Sequence, residues 1–457
     1  VTERRLTSII LAAGEGTRMR SSLPKVLHRV AGRAMVAHAV AAAASAGSAH
    51  IALVVGPGRD DVAKAGADFA GGAAFSTHIQ TERRGTAHAV LAARDIVANA
   101  KGDIVIAFGD TPLLRSEIFA ALCAPLATGA SVVVAAFEAR DPTGYGRVIM
   151  EAGAPIAIRE HKDANAAERA ITLCNGGLMA LAADHALALI EAVTPANAQN
   201  EFYLTDLVGL ARAAALRTAV ITINEEEVMG VNDRVQLAAV EAVMQARLRE
   251  KAMRAGATLV APDTIFLSHD TVLGSDVMLH PHVVVGPGSV IEDRVEILSF
   301  SHVEGARIRA GARLGPFARI RPKSDVGENV HVGNFVEINR SVLSTGVEAN
   351  HLAYIGDATV GEGTNIGAGT ITCNFDGADK HRTSIGRDVF VGSNSTLVAP
   401  LRIGDEVLIA AGSTVTKDVP DGSLAFGRAK QAELAGKGAS RIRQNKLKRA
   451  ERKARGG

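Results

Sequence analysis

A chain of 457 residues, 47% hydrophobic and 21% charged, is long enough for two or three domains with real cores and has the balance of an ordinary soluble protein. Only 4% of residues are aromatic and none is Trp, which argues against a stacking platform for nucleic acid; three scattered thiols, Cys123, Cys174 and Cys373, argue against a disulfide frame or zinc site and for a reducing, cytoplasmic compartment. The formal net charge of +2 conceals an asymmetry: nine Lys and Arg against Glu451 between residues 436 and 457 give that end +8 and leave the remainder near −6.

Residues 1–228 alternate aliphatic runs with helical patterns. Segments 8–12, 51–55, 104–108 and 131–135 read as strands ending near Gly, Pro or Asp, which predicts an α/β, Rossmann-like domain with a mostly parallel sheet. Such sheets bind ligands beyond the carboxyl ends of their strands, so functional motifs are expected just after these runs. The Ala-rich stretch 34–46 is broken by His38 and Ser45 and predicts a soluble helix rather than a membrane span. No cleavable signal pattern opens the chain.

The first motif is Leu11-Ala-Ala-Gly-Glu-Gly-Thr-Arg-Met19, with Pro24-Lys25 beyond it. Glycines at a strand end let backbone N–H groups close on an anion, and Arg18 and Lys25 add charge. A Gly-rich turn alone is weak evidence, and the spacing fits neither a Walker A loop nor a Rossmann fingerprint. LAAGxGTRM followed by PK is far more restrictive and resembles the nucleoside triphosphate loop of the sugar-phosphate nucleotidylyltransferases. Gln80-Thr-Glu-Arg-Arg-Gly-Thr86 resembles that family's base-reading segment. Asp110, closing Phe108-Gly-Asp110, offers a hard oxygen at a strand end, although alone it would equally serve a turn or helix cap. The family draws a second metal ligand from a GVN motif, here Asn232.

Gly144-Tyr-Gly146, Glu160, Asn175 in Asn-Gly-Gly and Glu201-Phe-Tyr-Leu-Thr-Asp206 narrow the resemblance to the bacterial N-acetylglucosamine-1-phosphate uridylyltransferases. It implies that UTP or the UDP-sugar meets Leu11, Ala13, Gly14, Gly16, Thr17, Lys25, Gln80, Gly85, Thr86, Gly109, Gly146 and Asn232. Glu160 and Asn175 would then meet the sugar hydroxyls and N-acetyl group, and Tyr203 and Thr205 the sugar phosphate. Arg18 and Lys25 would serve catalysis, and Asp110 and Asn232 would hold one or two Mg²⁺ ions. The attacking sugar phosphate is already an anion, so the chemistry calls for neutralisation and in-line positioning rather than a general base.

A connector, 229–256, follows. Asp233 with Gln236 resembles a capping box, and Leu237, Val240, Met244 and Leu248 keep one helical face, which predicts a rigid arm. From Leu273 the chain beats in sixes, with aliphatic openers at 273, 285, 291, 326, 332, 385, 391, 403 and 409, in register apart from two breaks. That period suits neither an isolated helix nor an alternating strand and predicts a parallel β-helix of hexapeptide repeats over 257–430. Residues 339–358 leave the beat, as do Asn374-Phe-Asp-Gly-Ala-Asp-Lys380, and both are expected as outward loops where a site is built.

Those interruptions resemble the acetyltransferase half of the same bifunctional family, which implies a left-handed coil and a homotrimer. His351 is then the general base, oriented by Glu337. Arg321 holds the phosphate of glucosamine 1-phosphate, with Tyr354, Asn365 and Asn374 on the sugar. Asn374, Phe375, Ser393, Ala411 and Arg428 lie along acetyl-CoA, the co-substrate. The family's phosphate-binding lysine is Asn339 here, so either Arg340 supplies the charge from a shifted position or Arg321 carries it alone. Phe108 and Phe375 stand for tyrosines and Glu15 for a lysine. Residues 431–457 read as a solvated, partly disordered basic tail.

The expected function is synthesis of UDP-N-acetylglucosamine from glucosamine 1-phosphate, acetyl-CoA and UTP through N-acetylglucosamine 1-phosphate, with no nucleic-acid partner and no integral membrane association. One rival is a nucleotidylyltransferase with a passive rod; another is a non-enzymatic assembly factor. His351 and Tyr354 argue against the first, and the Gly16, Arg18, Lys25 and Asp110 set against the second.

Overall fold

The computed structural model describes residues 4–454, which form two compact units. The first comprises residues 4–255, 261–271 and 285–287; the second comprises 256–260, 272–284 and the residues from 288 onward.

The first unit is built on one mixed sheet. Its strands are β1 (Arg5–Ala12), β2 (His50–Val55), β3 (Ala74–Ile79), β4 (Gly102–Phe108), β5 (Val132–Glu138), β6 (Arg147–Glu151), β7 (Ala154–Arg159), β8 (Leu173–Ala182) and β9 (Thr218–Thr222). The order β9-β5-β8-β4-β1-β2-β3 is parallel except for β8, which runs antiparallel to both neighbours. The β6–β7 hairpin hangs from β8 through the Cys174–Arg147 pair. All four expected strands overlap β1, β2, β4 and β5.

Those strands are continuously apolar because both faces are covered. Ile9 and Leu11, Ile104 and Ile106, and Val132 and Val134 enter one core. The residues between them, Ile10, Val105 and Val133, enter the core on the opposite face. The period of two thus feeds two layers of helices from each strand. On one face lies the Ala-rich helix Met35–Ser45, with eight residues buried. No helix among the described residues is long and apolar enough to cross a membrane.

His38 in that helix is buried, and its Nε2 bonds Val30 O at 2.9 Å. Burial is the largest cause holding its imidazole down to about 4, from 6.5. The unfolded chain therefore takes up a proton that the folded chain refuses. Stability is full above pH 6.5 and is lost as pH falls toward 4, by about 3 kcal/mol from this group. Urea unfolding of the full chain, followed by circular dichroism across that window, should be markedly flatter in His38→Gln; equal pH dependence in both proteins would refute the assignment.

The connector helix is Arg234–Arg254. Asp233 caps it by accepting from Gln236 N, but Gln236 Oε1 reaches Asn232 N at 2.7 Å rather than Asp233 N, so only half of the expected capping box forms. The expected rigid arm is also not free-standing: Val240 packs with Met19, Val30, Met35, Leu113 and Val231, which seats the helix on the first unit.

The second unit climbs through parallel ladders of two- to four-residue strands. Inward residues stack coil on coil, as in Ile291, Ile308, Val326, Leu343 and Val360. The beat breaks differently from the expectation of two outward loops. Residues 339–358 stay in the stack, with Ile338 pairing Ile355 and Leu343 pairing Val360. Each of these coils is one residue short at a single corner, where the inward residues lie five apart rather than six. Deleting one residue at a corner shifts the written beat without ejecting any chain. A true insertion follows Thr372, where consecutive coils become 25 residues apart, as in Asn365 pairing Phe390. Lys437–Ala454 form a helix, exposed from Lys437 to Lys453, so the tail is solvated as expected but regular where partial disorder was expected; Arg455 of the expected basic tail lies outside the described residues.

Candidate active sites

In the first unit the Gly-rich turn leaves β1 at the carboxyl end of the sheet. Gly16 has φ +65, and a Cβ there would lie 2.3 Å from Lys25 Cβ, so the turn closes only with glycine. Beside it is a cavity of about 310 Å³ lined by Leu11, Ala13, Gly14, Lys25, Gln80 and Asp110 among others. Lys25 Nζ donates to Asp110 and, at 3.2 Å, to Asn232 Oδ1. Residues separated by more than two hundred positions thus converge on one cation. Val231 N holds Asp110 O at 3.0 Å and Gly109 N holds Leu11 O at 2.9 Å, which fixes the convergence through backbone. Thr17 and Arg18 stand exposed on the same turn.

Gln80 is buried and donates to Gly85 O at 3.2 Å. A Cβ on Gly85 would lie 2.5 Å from Phe202 O, and Thr86 Oγ1 accepts from Leu204 N at 2.9 Å. The expected base-reading and sugar-phosphate segments are therefore laced together. Tyr203 and Thr205 are buried. Thr205 Oγ1 donates to Glu160 Oε1 at 3.2 Å. Burial raises the Glu160 carboxyl, with Asp163 and Asp206 adding to the rise and Thr205 opposing it. A desolvated carboxyl of this kind is short of hydrogen-bond donors, which sugar hydroxyls would supply. Gly146 O accepts from Asn175 N at 2.8 Å, which joins two more of the residues expected at the sugar.

Sequence reasoning missed Arg83, whose Nε donates to Ala13 O at 3.0 Å and Nη1 to Glu15 at 2.5 Å. It braces the Gly-rich turn and neutralises the glutamate that replaces a family lysine. An unassigned cation in the base-reading segment was the available signal.

In the second unit one corner gathers several expected residues. Backbone bonds carry it from Asn334 O to Leu352 N, from His351 O to Gly369 N, from Ala368 O to Asn394 N and from Ser393 O to Gly412 N. Ala411 O then accepts from Arg428 Nη1 at 2.9 Å. His351, Ser393, Ala411 and Arg428 thus share one edge. His351 ends the strand Glu348–His351 rather than riding on a loop.

The partner of His351 is not Glu337. Its Nδ1 lies 2.8 Å from Asn334 Oδ1, one coil below in register. A carbonyl oxygen only accepts, so in this contact Nδ1 carries the proton and the Nε2 lone pair is left free of it. Glu337 instead accepts from Arg321 Nη1 at 2.9 Å. Asn334 could have been found by counting back one 17-residue coil.

Asn339 is buried and donates to Tyr354 Oη at 3.2 Å. Arg340 is engaged by both oxygens of Asp357 at 2.7 Å each, and Asp357 also accepts from Asn374. Of the two arginines weighed for the phosphate charge, Arg340 is bidentate to Asp357, whereas Arg321 makes one side-chain hydrogen bond among the described residues, from Nη1 to Glu337. Phe375 is exposed on the inserted loop. Asn365 pairs in register with Glu348, three residues before His351.

A mostly parallel sheet with a Gly-rich turn at its carboxyl end, carried on one chain with a hexapeptide coil that presents a hydrogen-bonded imidazole, defines an enzyme with two transferase units. Residues 8–203 match the MobA-like NTP transferase domain family and residues 382–417 the hexapeptide repeat of succinyl-transferase. The curated bifunctional protein GlmU of Azorhizobium caulinodans is 51% identical over 436 residues, 95% of this chain and 97% of its own. That of Xanthobacter autotrophicus is 52% identical with the same coverage. That of a Bradyrhizobium species is 51% identical over 448 residues, 98% of this chain and 99% of its own. The chain belongs to the GlmU family of bifunctional acetyltransferase/uridylyltransferases, and its coil is the left-handed β-helix of that family.

Proposed function

We propose that the coil acetylates the amine of glucosamine 1-phosphate from acetyl-CoA and that the sheet unit then joins the product to the uridylyl group of UTP, releasing pyrophosphate. The observation that carries this reading is that one chain holds two separately built sites, Lys25 between Asp110 and Asn232, and His351 with its proton fixed on Nδ1.

In the coil, Arg321 holds the sugar phosphate and Tyr354 the sugar. Nε2 of His351 removes a proton from the amine, whose nitrogen forms the amide bond as the thioester C–S bond breaks. Imidazole ordinarily titrates near neutrality, which suits it to this transfer. Ser393, Ala411 and Arg428 line the acetyl-CoA approach along the same edge.

In the sheet unit, the sugar phosphate oxygen bonds the α-phosphorus as the bond to pyrophosphate breaks. Asp110 and Asn232 supply hard oxygens suited to Mg²⁺, and they already share one cation, the Lys25 ammonium. No cluster of three His, Cys, Asp or Glu is present among the described residues, so substrate phosphates would complete the coordination. The ion would neutralise phosphate charge. Lys25 and Arg18 then face the triphosphate, and Glu160 and Asn175 orient the sugar.

A homotrimer through the coil is supported by an exposed aromatic column. His282, Phe300, Phe317 and Phe335 stack ring on ring at 4.7, 5.0 and 5.1 Å between centroids, and Leu352, 62% exposed beside His351, continues it. An apolar stripe of this length, contiguous with the acetyl site, suits burial against another copy.

Supplying glucosamine 1-phosphate, acetyl-CoA, UTP and Mg²⁺ together, then omitting each in turn, tests the reading. The nucleotide sugar should form only from the full set, and its appearance without acetyl-CoA would sink the proposed order. A second expectation concerns Asn339. Asn339→Lys should lower the KM for glucosamine 1-phosphate by roughly threefold to tenfold, because a point charge joins Arg321 at the phosphate. An unchanged KM would show that Arg321 alone suffices.

A further inference from the structure

Arg147, at the start of β6, is 1% exposed and heads the largest fully buried side chains. Among the described residues no carboxylate lies within ion-pair distance of it. A buried cation without a counter-ion is costly and must be repaid by hydrogen bonds. Its Nη1 donates to Tyr145 O, and its Nη2 lies 3.3 Å from Arg169 O and 3.4 Å from His161 Nδ1. Its backbone pairs with Cys174 on β8 and Arg159 on β7.

All but Arg169 adjoin a residue assigned to the sugar. Tyr145 precedes Gly146, His161 follows Glu160, and Cys174 precedes Asn175. Those three sugar residues also meet each other: Gly146 O takes the Asn175 N–H, and a Cβ on Gly146 would lie 3.3 Å from Glu160 Oε1. The Arg147 guanidinium therefore meets the segments that carry Gly146 and Glu160, and its backbone pairs beside Asn175.

We infer that Arg147 is the positioning residue of the sugar pocket, fixing Gly146, Glu160 and Asn175 at one spacing and so selecting the N-acetylated sugar 1-phosphate. It acts through these neighbours and does not touch the nucleotide. The inference rests on the proposed uridylyl transfer to that substrate.

Arg147→Met keeps length and removes every donor. We expect the KM for N-acetylglucosamine 1-phosphate to rise about tenfold or more, while the KM for UTP stays within about twofold. Acetyl transfer on the same chain should be unchanged, and Arg147→Lys should recover part of the sugar KM. Equal rises in both KM values, or no rise in either, would overturn the inference. If Arg147→Met loses its folded circular dichroism signal, His161→Phe decides the matter, since it removes one contact and leaves the cation. A sugar KM raised about threefold supports the inference and an unchanged one refutes it. Wild-type protein unable to use N-acetylglucosamine 1-phosphate would refute the activity itself, whereas wild-type turnover with an unshifted Arg147→Met refutes only the role of Arg147.

Discussion

Asp110→Ala is expected to lower uridylyl transfer by about a thousandfold while leaving acetyl transfer on the same chain near normal. Two anions must meet in this reaction, and their repulsion is the barrier that the site has to offset. Among the described residues Asp110 is the one carboxylate that meets Lys25 Nζ, beside the Asn232 amide oxygen. Its loss leaves Asn232 as a single neutral donor, too weak to hold a divalent ion beside a triphosphate. The substitution should not unfold the unit, because Asp110 is fixed mainly by backbone, its carbonyl accepting from Val231 N. Asp110→Asn should be nearly as damaging, since shape is kept and charge is lost. Assays of both activities on each variant decide the point, and uridylyl turnover near the wild-type rate in Asp110→Ala would remove Asp110 from the proposed metal site.

His351→Ala should produce the mirror image, with acetyl transfer reduced by about 10²- to 10⁴-fold and uridylyl transfer untouched. The side chain is exposed at a strand end, so its removal leaves no cavity in the coil. Asn334→Ala should cost less, about tenfold, because it releases the tautomer without removing the base. Glu337→Gln should act differently again, raising the KM for glucosamine 1-phosphate through Arg321. If Glu337→Gln instead mimicked His351→Ala, the orienting role would belong to Glu337 after all.

Both folds were readable from periodicity because periodicity is what their cores require. β1 and β4 alternate between two helical layers, and the coil stacks one aliphatic residue per side. The Gly-rich turn and the 80–86 segment were readable because Gly16 and Gly85 meet side-chain or backbone atoms that no Cβ could avoid. What escaped sequence reading was the effect of small changes in register. A one-residue deletion at a corner looks, in a string of letters, like departure from the coil, yet Ile338 and Leu343 remain inward. That misreading moved His351 onto a loop and hid Asn334 one coil away. Partners of charged residues were equally illegible, because Glu337 is close to both Arg321 and the strand of Tyr354 and only coordinates decide between them. Arg147 escaped because nothing in a sequence distinguishes a buried guanidinium from the many exposed ones.

The central claim is that two independent active sites on one chain act in series through a free intermediate. Mixing purified Asp110→Ala and His351→Ala proteins with glucosamine 1-phosphate, acetyl-CoA, UTP and Mg²⁺ tests it most directly. Neither variant alone should make UDP-N-acetylglucosamine, and the mixture should make it after a lag while N-acetylglucosamine 1-phosphate accumulates. A silent mixture, or full product from either variant alone, would contradict the account.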